Sequence, residues 1–199
     1  MAWKFLREHV CPKDRRTARK FEEFVPYYDV KHQLAGEFRP KRILEIGVRA
    51  GYSALAFLSA CPKATYLGLD AENGKHGGQG GPWTWWAEKL LAPFRATIRI
   101  CDTQKMSQLD EADGAFDFVH VDGDHSYRGA LHDMRMCYPR LATGGVMVVD
   151  DYDYLPDVRR AIDDFLRKNP PSCDPRRKFV FQHRESLRGE MLIIPQPFA

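Results

Sequence analysis

Long apolar runs are missing from this 199-residue chain. None approaches the 20 or so residues that a membrane-crossing helix needs. The opening MAWKFLREHV lacks the apolar stretch of a secretory signal. No Cys-x-x-Cys occurs, and the five cysteines (Cys11, Cys61, Cys101, Cys137, Cys173) are odd in number and far apart. That pattern excludes a disulfide framework and a zinc ribbon, and suits reduced thiols in the cytoplasm. Charge of one sign is scarce as well. The net charge is +3, and the one basic run, KDRRTARK, reads as a solvated helix face. Neither nucleic acid nor a membrane is expected as a partner. There is no internal repeat, and the one Gly-rich stretch, HGGQGGP (76–82), reads as a loop within a domain.

What is present is the composition of a globular protein, 44% apolar and 29% charged. A chain of this length forms one domain, burying about 70% of the surface it exposes when unfolded. Short β-branched and aliphatic runs predict strands at 41–46, 65–70, 97–101, 116–121 and 145–150. They are nearly apolar throughout, as parallel strands covered on both faces require. Helical patterns lie between them, in YSALAFLSA, WTWWAEKLLA, the 126–141 stretch and LPDVRRAIDDFLRK. RTARKFEEFV and YYDVKHQLAGEF predict two further helices, an N-terminal cap over 1–38. Two last strands, 178–182 and 190–194, have no helix between them and should pair antiparallel at a sheet edge. This alternation predicts a single-domain α/β three-layer sandwich with right-handed crossovers. Ligands then bind outside the carboxyl ends of the strands.

The unusual residues fall at those ends. The first strand runs into LEIGVRAGYSAL, where Gly47 and Gly51 bracket a tight turn into a helix N-terminus that begins near Ser53. The Glu-x-Gly-x-x-x-Gly spacing differs from the dinucleotide fingerprint. Glu45 is placed to accept from an ammonium group or a water. The next strand ends in Asp70, the kind of residue that grips ribose hydroxyls. Together these favour an adenosine ligand. Asp102 and Thr103, at the third strand end, can reach an adenine edge, although Asp102 suits a helix cap equally.

Asp122 ends the fourth strand and Asp150 and Asp151 the fifth, one crossover apart. Adjacent strand ends would bring three carboxylates together, which requires a positive neutraliser. A hard divalent cation, Mg²⁺ by default, fits oxygen donors of this kind. The acids also read as caps: Asp124 or Ser126 for the following helix, Asp151 or Asp153 for the next turn.

LEIGVRAGYS, VDGDHSY and LATGGVMVVDDY resemble the class I S-adenosyl-L-methionine-dependent methyltransferases. The nearer resemblance is to the small metal-dependent O-methyltransferases acting on sugar hydroxyls of natural products and polysaccharides, over residues 40 to 168. It implies a seven-stranded, mostly parallel sheet whose last strand is antiparallel, inserted between the fifth and sixth. It implies S-adenosyl-L-methionine as cofactor and Mg²⁺ on the acids at the strand ends. The similar catechol enzymes carry a lysine base three positions past the first metal acid. Here that position is His125, which suits a general base near neutral pH. The expected acceptor is one of two vicinal hydroxyls on a saccharide or small molecule, with an aromatic diol as the alternative. A homodimer is left open.

Trp83, Trp85 and Trp86 offer a stacking wall but cannot all face the core. Tyr27, Tyr28, Lys31 and His32 suit either helix packing or a lid on the site. Tyr27-x-x-x-Lys31 also has the spacing of short-chain dehydrogenases, but upstream of the glycine turn instead of downstream. The rival readings are therefore a nicotinamide oxidoreductase and a non-catalytic nucleotide-binding module. A nucleic-acid methyltransferase would want a basic stripe or an Asn/Asp-Pro-Pro-aromatic motif, and neither occurs.

Overall fold

The computed structural model describes residues 3–73, 82–169, 176–183 and 186–193. Most of the Gly-rich loop and Cys173 lie outside the described residues. Among the described residues, seven strands form one sheet in the order β3-β2-β1-β4-β5-β7-β6. They are β1 Arg42–Ile46, β2 Thr65–Asp70, β3 Arg95–Ile100, β4 Phe116–Val121, β5 Leu141–Val149, β6 Arg176–His183 and β7 Ser186–Ile193. The first five are parallel, and β7 is antiparallel to both β5 and β6. The last strand is thus inserted between the fifth and the sixth, as the resemblance implied.

The helices are α1 Arg15–Arg19, α2 Phe21–Phe38, α3 Tyr52–Ala60, α4 Thr84–Leu91, α5 Tyr127–Cys137 and α6 Pro156–Lys168. Side chains alternate across the pleat, so each apolar strand feeds two cores. Leu44, Ile46, Leu67, Leu69, Val119, Val121, Met147 and Val149 pack under α5 and α6. Ile43, Tyr66, Phe118, Val146 and Val148 pack under α2 and α3. Each large aliphatic side chain so buried contributes about 1.5–3 kcal/mol. β3 departs from the expected pattern: as an edge strand it alternates, with Ala96 and Ile98 half-buried against the core and Arg95, Thr97, Arg99 and Ile100 exposed.

The N-terminal region differs in one respect from the two helices expected. α2 runs unbroken through Pro26. A proline at this sixth position removes only one backbone hydrogen bond, to the carbonyl of Glu22. Burial of Tyr28, Lys31, Leu34 and Ala35 holds the helix together across it. Phe5, Val10, Cys11, Phe21 and Tyr28 then pack with Tyr52 and Trp86 over the start of α3 and α4. This covers the outer face of the loop that follows β1.

Candidate active site

The strand order reverses between β1 and β4, so their following loops part and open a crevice. A cavity of about 420 Å³ lies there, within the usual range for small-molecule sites. Gly47 (φ 88°) makes the turn out of β1; a Cβ there would lie 2.0 Å from the carbonyl oxygen of Asp122. Only glycine lets the two strand ends approach this closely. Gly51 (φ 78°) serves packing instead: a Cβ would collide with Ala87 of α4.

Gly47, Ser53, Asp70 and Thr103 line the cavity. Asp70 accepts from the backbone N–H of Arg49 (2.7 Å) and of Glu72 (2.7 Å), which fixes the carboxylate at the cavity wall. Each oxygen keeps a further lone pair for a ligand. Thr103 and Gln104 are held by Asp133 of α5, which accepts from Thr103 Oγ1 (2.8 Å) and Gln104 Nε2 (2.9 Å). Burial pushes the Asp133 pKa up to about 6 despite those bonds.

Three of the residues expected at a cofactor stand off the cavity lining: Glu45, Gly51 and Asp102. Asp102 caps the turn after β3, accepting from Gln104 N–H (3.2 Å), and pairs with Lys105. Glu45 shares the pleat parity of Ile43, so it points under α2 and α3, away from the crevice. It stands in register with His120 of β4 and accepts from His120 Nδ1 (2.8 Å). Its other oxygen accepts from Tyr66 Oη. Gly68, in register with Glu45 on the other side, leaves room for that phenol to lie along the strand.

His120 and Lys31 were not foreseen as site residues. Lys31 is fully buried, with Nζ 2.7 Å from His120 Nε2 and 3.0 Å from Asp150 Oδ2. Tyr27 Oη donates to the same oxygen of Asp150. The partners set the imidazole tautomer: Nδ1–H donates to Glu45 and Nε2 accepts from the ammonium. Asp150 Oδ1 accepts from the N–H of Asp151 (2.8 Å). Burial opposes ionisation of Asp150, but the charge of Lys31, with the bonds from Tyr27 and Lys31, holds its carboxyl well below the ordinary range. One sign was legible: an imidazole inside the apolar strand FDFVHV needs a buried partner.

The other acids face the cavity. Asp122, Asp150 and Asp151 all line it, but they divide into two groups that share Asp122. Asp122 and Asp150 form one with His120; Asp122 and Asp151 form the other with His125, and within each the donor atoms lie within 4.8 Å of one another. Asp151 adopts a left-handed backbone (φ 60°), which turns its side chain out of the strand direction. His125 Nε2 lies 3.1 Å from Asp122 Oδ1 and 3.7 Å from Asp151 Oδ2.

Burial disfavours the His125 imidazolium. The hydrogen bond to Asp122 and the charges of Asp122, Asp151 and Asp150 outweigh it and push the pKa up to about 9. The expectation of a base titrating near neutrality is corrected accordingly: in the protein alone the ring is protonated at pH 7, because carboxylates surround it. The capping alternative holds in part, since Ser126 caps α5 by accepting from Gly129 N–H, and Asp124 accepts from Ser126 N–H.

The aromatic residues divide too. Trp83 lines the cavity, Trp86 is buried with Nε1 donating to His9 O, and Trp85 is exposed with Lys13 over its ring. Tyr27 and Tyr28 line the cavity, while His32 stacks on Trp3 outside it.

The family described as "Methyltransferase domain" matches residues 44–152, just over half of the chain. No curated protein matches the sequence. Among solved structures, the O-methyltransferase TomG from Streptomyces achromogenes, involved in tomaymycin synthesis and bound to S-adenosylmethionine, superposes with a TM-score of 0.68 at 17% identity. The alignment covers 94% of this chain and 91% of TomG. An O-methyltransferase from Bacillus cereus, complexed with S-adenosylhomocysteine, superposes with a TM-score of 0.64 at 14% identity, over 85% and 80% of the two chains. The Podospora anserina methyltransferase PaMTH1 gives 0.59 at 19%, over 85% and 78%. These likenesses establish the α/β methyltransferase fold.

Proposed function

The chain belongs to the methyltransferase domain family, and from that premise we propose that it is an S-adenosyl-L-methionine- and divalent-cation-dependent O-methyltransferase acting on one of two vicinal hydroxyls of a saccharide. The carrying observation is the juxtaposition of Asp122, Asp151 and His125 in the lining of a cavity that Gly47, Asp70 and Thr103 also line.

The donor supplies an activated methyl group on a sulfonium, so the chemistry left to the protein is to place and deprotonate an alcohol. Asp70 is positioned for the ribose hydroxyls, with Thr103 and Gln104 at the adenine edge. Asp122 and Asp151 offer hard oxygen donors, partly open to the cavity, which suits Mg²⁺. An ion held by Asp122 and Asp151 would supply Lewis acidity toward a substrate hydroxyl. With those carboxylates neutralised, His125 would lose the charges that favour its imidazolium, and its neutral Nε2, the atom facing the carboxylates, would be placed to accept the hydroxyl proton. Trp83, Tyr27 and Phe24 line the cavity and give a sugar ring apolar surface to stack on.

Calorimetry with S-adenosyl-L-methionine against NAD(H), with and without Mg²⁺, tests the reading. Binding of the methyl donor alone, followed by labelled methyl transfer in a screen of sugars and catechols, is the expected result. Near-normal turnover after thorough chelation contradicts the cation's part, and NAD(H) binding contradicts the whole.

A further inference from the structure

Lys31 is a lysine ammonium sealed inside the protein on α2, and its carboxylate partner, 119 positions later, is one of the three strand-end acids. We propose that Lys31 is the resident cation of the acidic end: it neutralises Asp150 and withdraws that carboxylate from divalent-cation binding, leaving Asp122 and Asp151 as the acidic ligands. The inference rests on the cation-dependent reading above and deepens it.

Both oxygens of Asp150 already accept hydrogen bonds, and two donors converge on Oδ2. Oδ2 accepts from Lys31 Nζ and Tyr27 Oη, and Oδ1 accepts from the Asp151 N–H. Asp151 is the sequence neighbour with the same side chain, yet it turns to the cavity and groups with Asp122 and His125. The difference comes from α2. Tyr27 and Lys31, four residues apart, lie on one face of the helix and converge on a single oxygen. The lysine has no cheap alternative position. Its Nζ lies 4.5 Å from the Tyr27 ring centroid and bridges to His120, which is itself fixed by Glu45. Moving Lys31 aside would leave a buried carboxylate without its cation and a buried imidazole nitrogen without its donor. A dication on Asp150 would also face that ammonium across one carboxylate oxygen. Lys31 is therefore a positioning residue. Tyr27-x-x-x-Lys31, which resembles a dehydrogenase pair by spacing alone, serves a carboxylate and not a cofactor.

The test is direct binding of Mn²⁺ to the full chain without methyl donor, followed by electron paramagnetic resonance of the free ion. It compares the wild type with Asp122→Asn, Asp150→Asn, Asp151→Asn and Lys31→Gln, the last keeping hydrogen-bond donors at the site. Asp122→Asn and Asp151→Asn should each weaken binding at least about tenfold, and Asp150→Asn should change it less than about threefold. Lys31→Gln should tighten it about tenfold, by releasing Asp150 as a further ligand. An Asp150→Asn loss equal to that of Asp151→Asn overturns the proposal. If the wild type binds no Mn²⁺, the cation-dependent reading falls, and Lys31→Gln alone decides the rest. Mn²⁺ binding gained by that variant upholds Lys31 as the ion's occupant, and none gained overturns it.

Discussion

Asp150 and Asp151 are adjacent in the chain and both line the cavity, but their partners differ. Asp150 is 5% exposed and closes a buried chain of Tyr66, Glu45, His120 and Lys31 beneath α2 and α3. Asp151 lies on the cavity side with Asp122 and His125, whose side chains are about one-quarter exposed. In the buried half the two carboxylates are held by one ammonium, one imidazole and two phenols of the protein. In the open half two carboxylates share one imidazole. On the function proposed above, the same residue types serve structure on one side of a strand end and chemistry on the other.

The largest effect should come from breaking the open half. Asp122→Ala should reduce methyl transfer at least about a thousandfold, roughly 4 kcal/mol of transition-state stabilisation. Donor affinity and the unfolding midpoint should stay close to wild type, as calorimetry and urea titration would show. The buried half should answer in stability. Lys31→Met leaves Asp150 as an unpaired buried charge and should cost about 3–5 kcal/mol in urea unfolding. Lys31→Met combined with Asp150→Leu should recover most of that loss. No recovery would mean that Lys31 acts through something other than Asp150.

Asp133 sharpens the contrast, because it is a buried carboxylate whose hydrogen bonds come from the neutral Thr103 and Gln104. Its pKa is raised to about 6, where that of Asp150 is lowered. A carboxyl with a raised folded pKa costs stability as it ionises, so that cost grows from about pH 4 and levels off above pH 6. Asp133→Asn should remove this dependence, a relative gain of about 2 kcal/mol at pH 8 over pH 4 in urea midpoints. The smallest effect belongs to His125. Its pKa is raised to about 9, so its stabilising contribution is complete below pH 6.5 and is lost as pH rises through 9. His125→Gln should flatten stability across that window by about 1 kcal/mol, given the ring's partial exposure. Saturating Mg²⁺ should lower the His125 pKa seen by NMR. An unchanged titration would separate the imidazole from the cation site.

Much of this was legible in order along the chain. The glycine turn at Gly47, the acids at the ends of β2, β4 and β5, and the parallel strands between them follow from apolar runs punctuated by polar residues. Glu45 was misplaced because it precedes the turn by two residues and looks like part of it. Its parity with Ile43 assigns it to a face, but only the packing of α2 and α3 shows that this face is away from the ligand. Lys31 was noted as a lid or packing residue, and nothing nearby in the sequence announces a carboxylate more than a hundred positions later.

By itself the sequence determined the alternation of strands and helices, the family motifs and the set of acids at the strand ends. These are local: periodicity, glycine turns and strand boundaries are written in neighbouring residues. Only the tertiary structure decided which acid is neutralised and which stays open to a ligand. That choice depends on where α2 delivers one buried ammonium, and in a low-dielectric interior a single charge a few ångströms away outweighs anything the adjacent residues dictate.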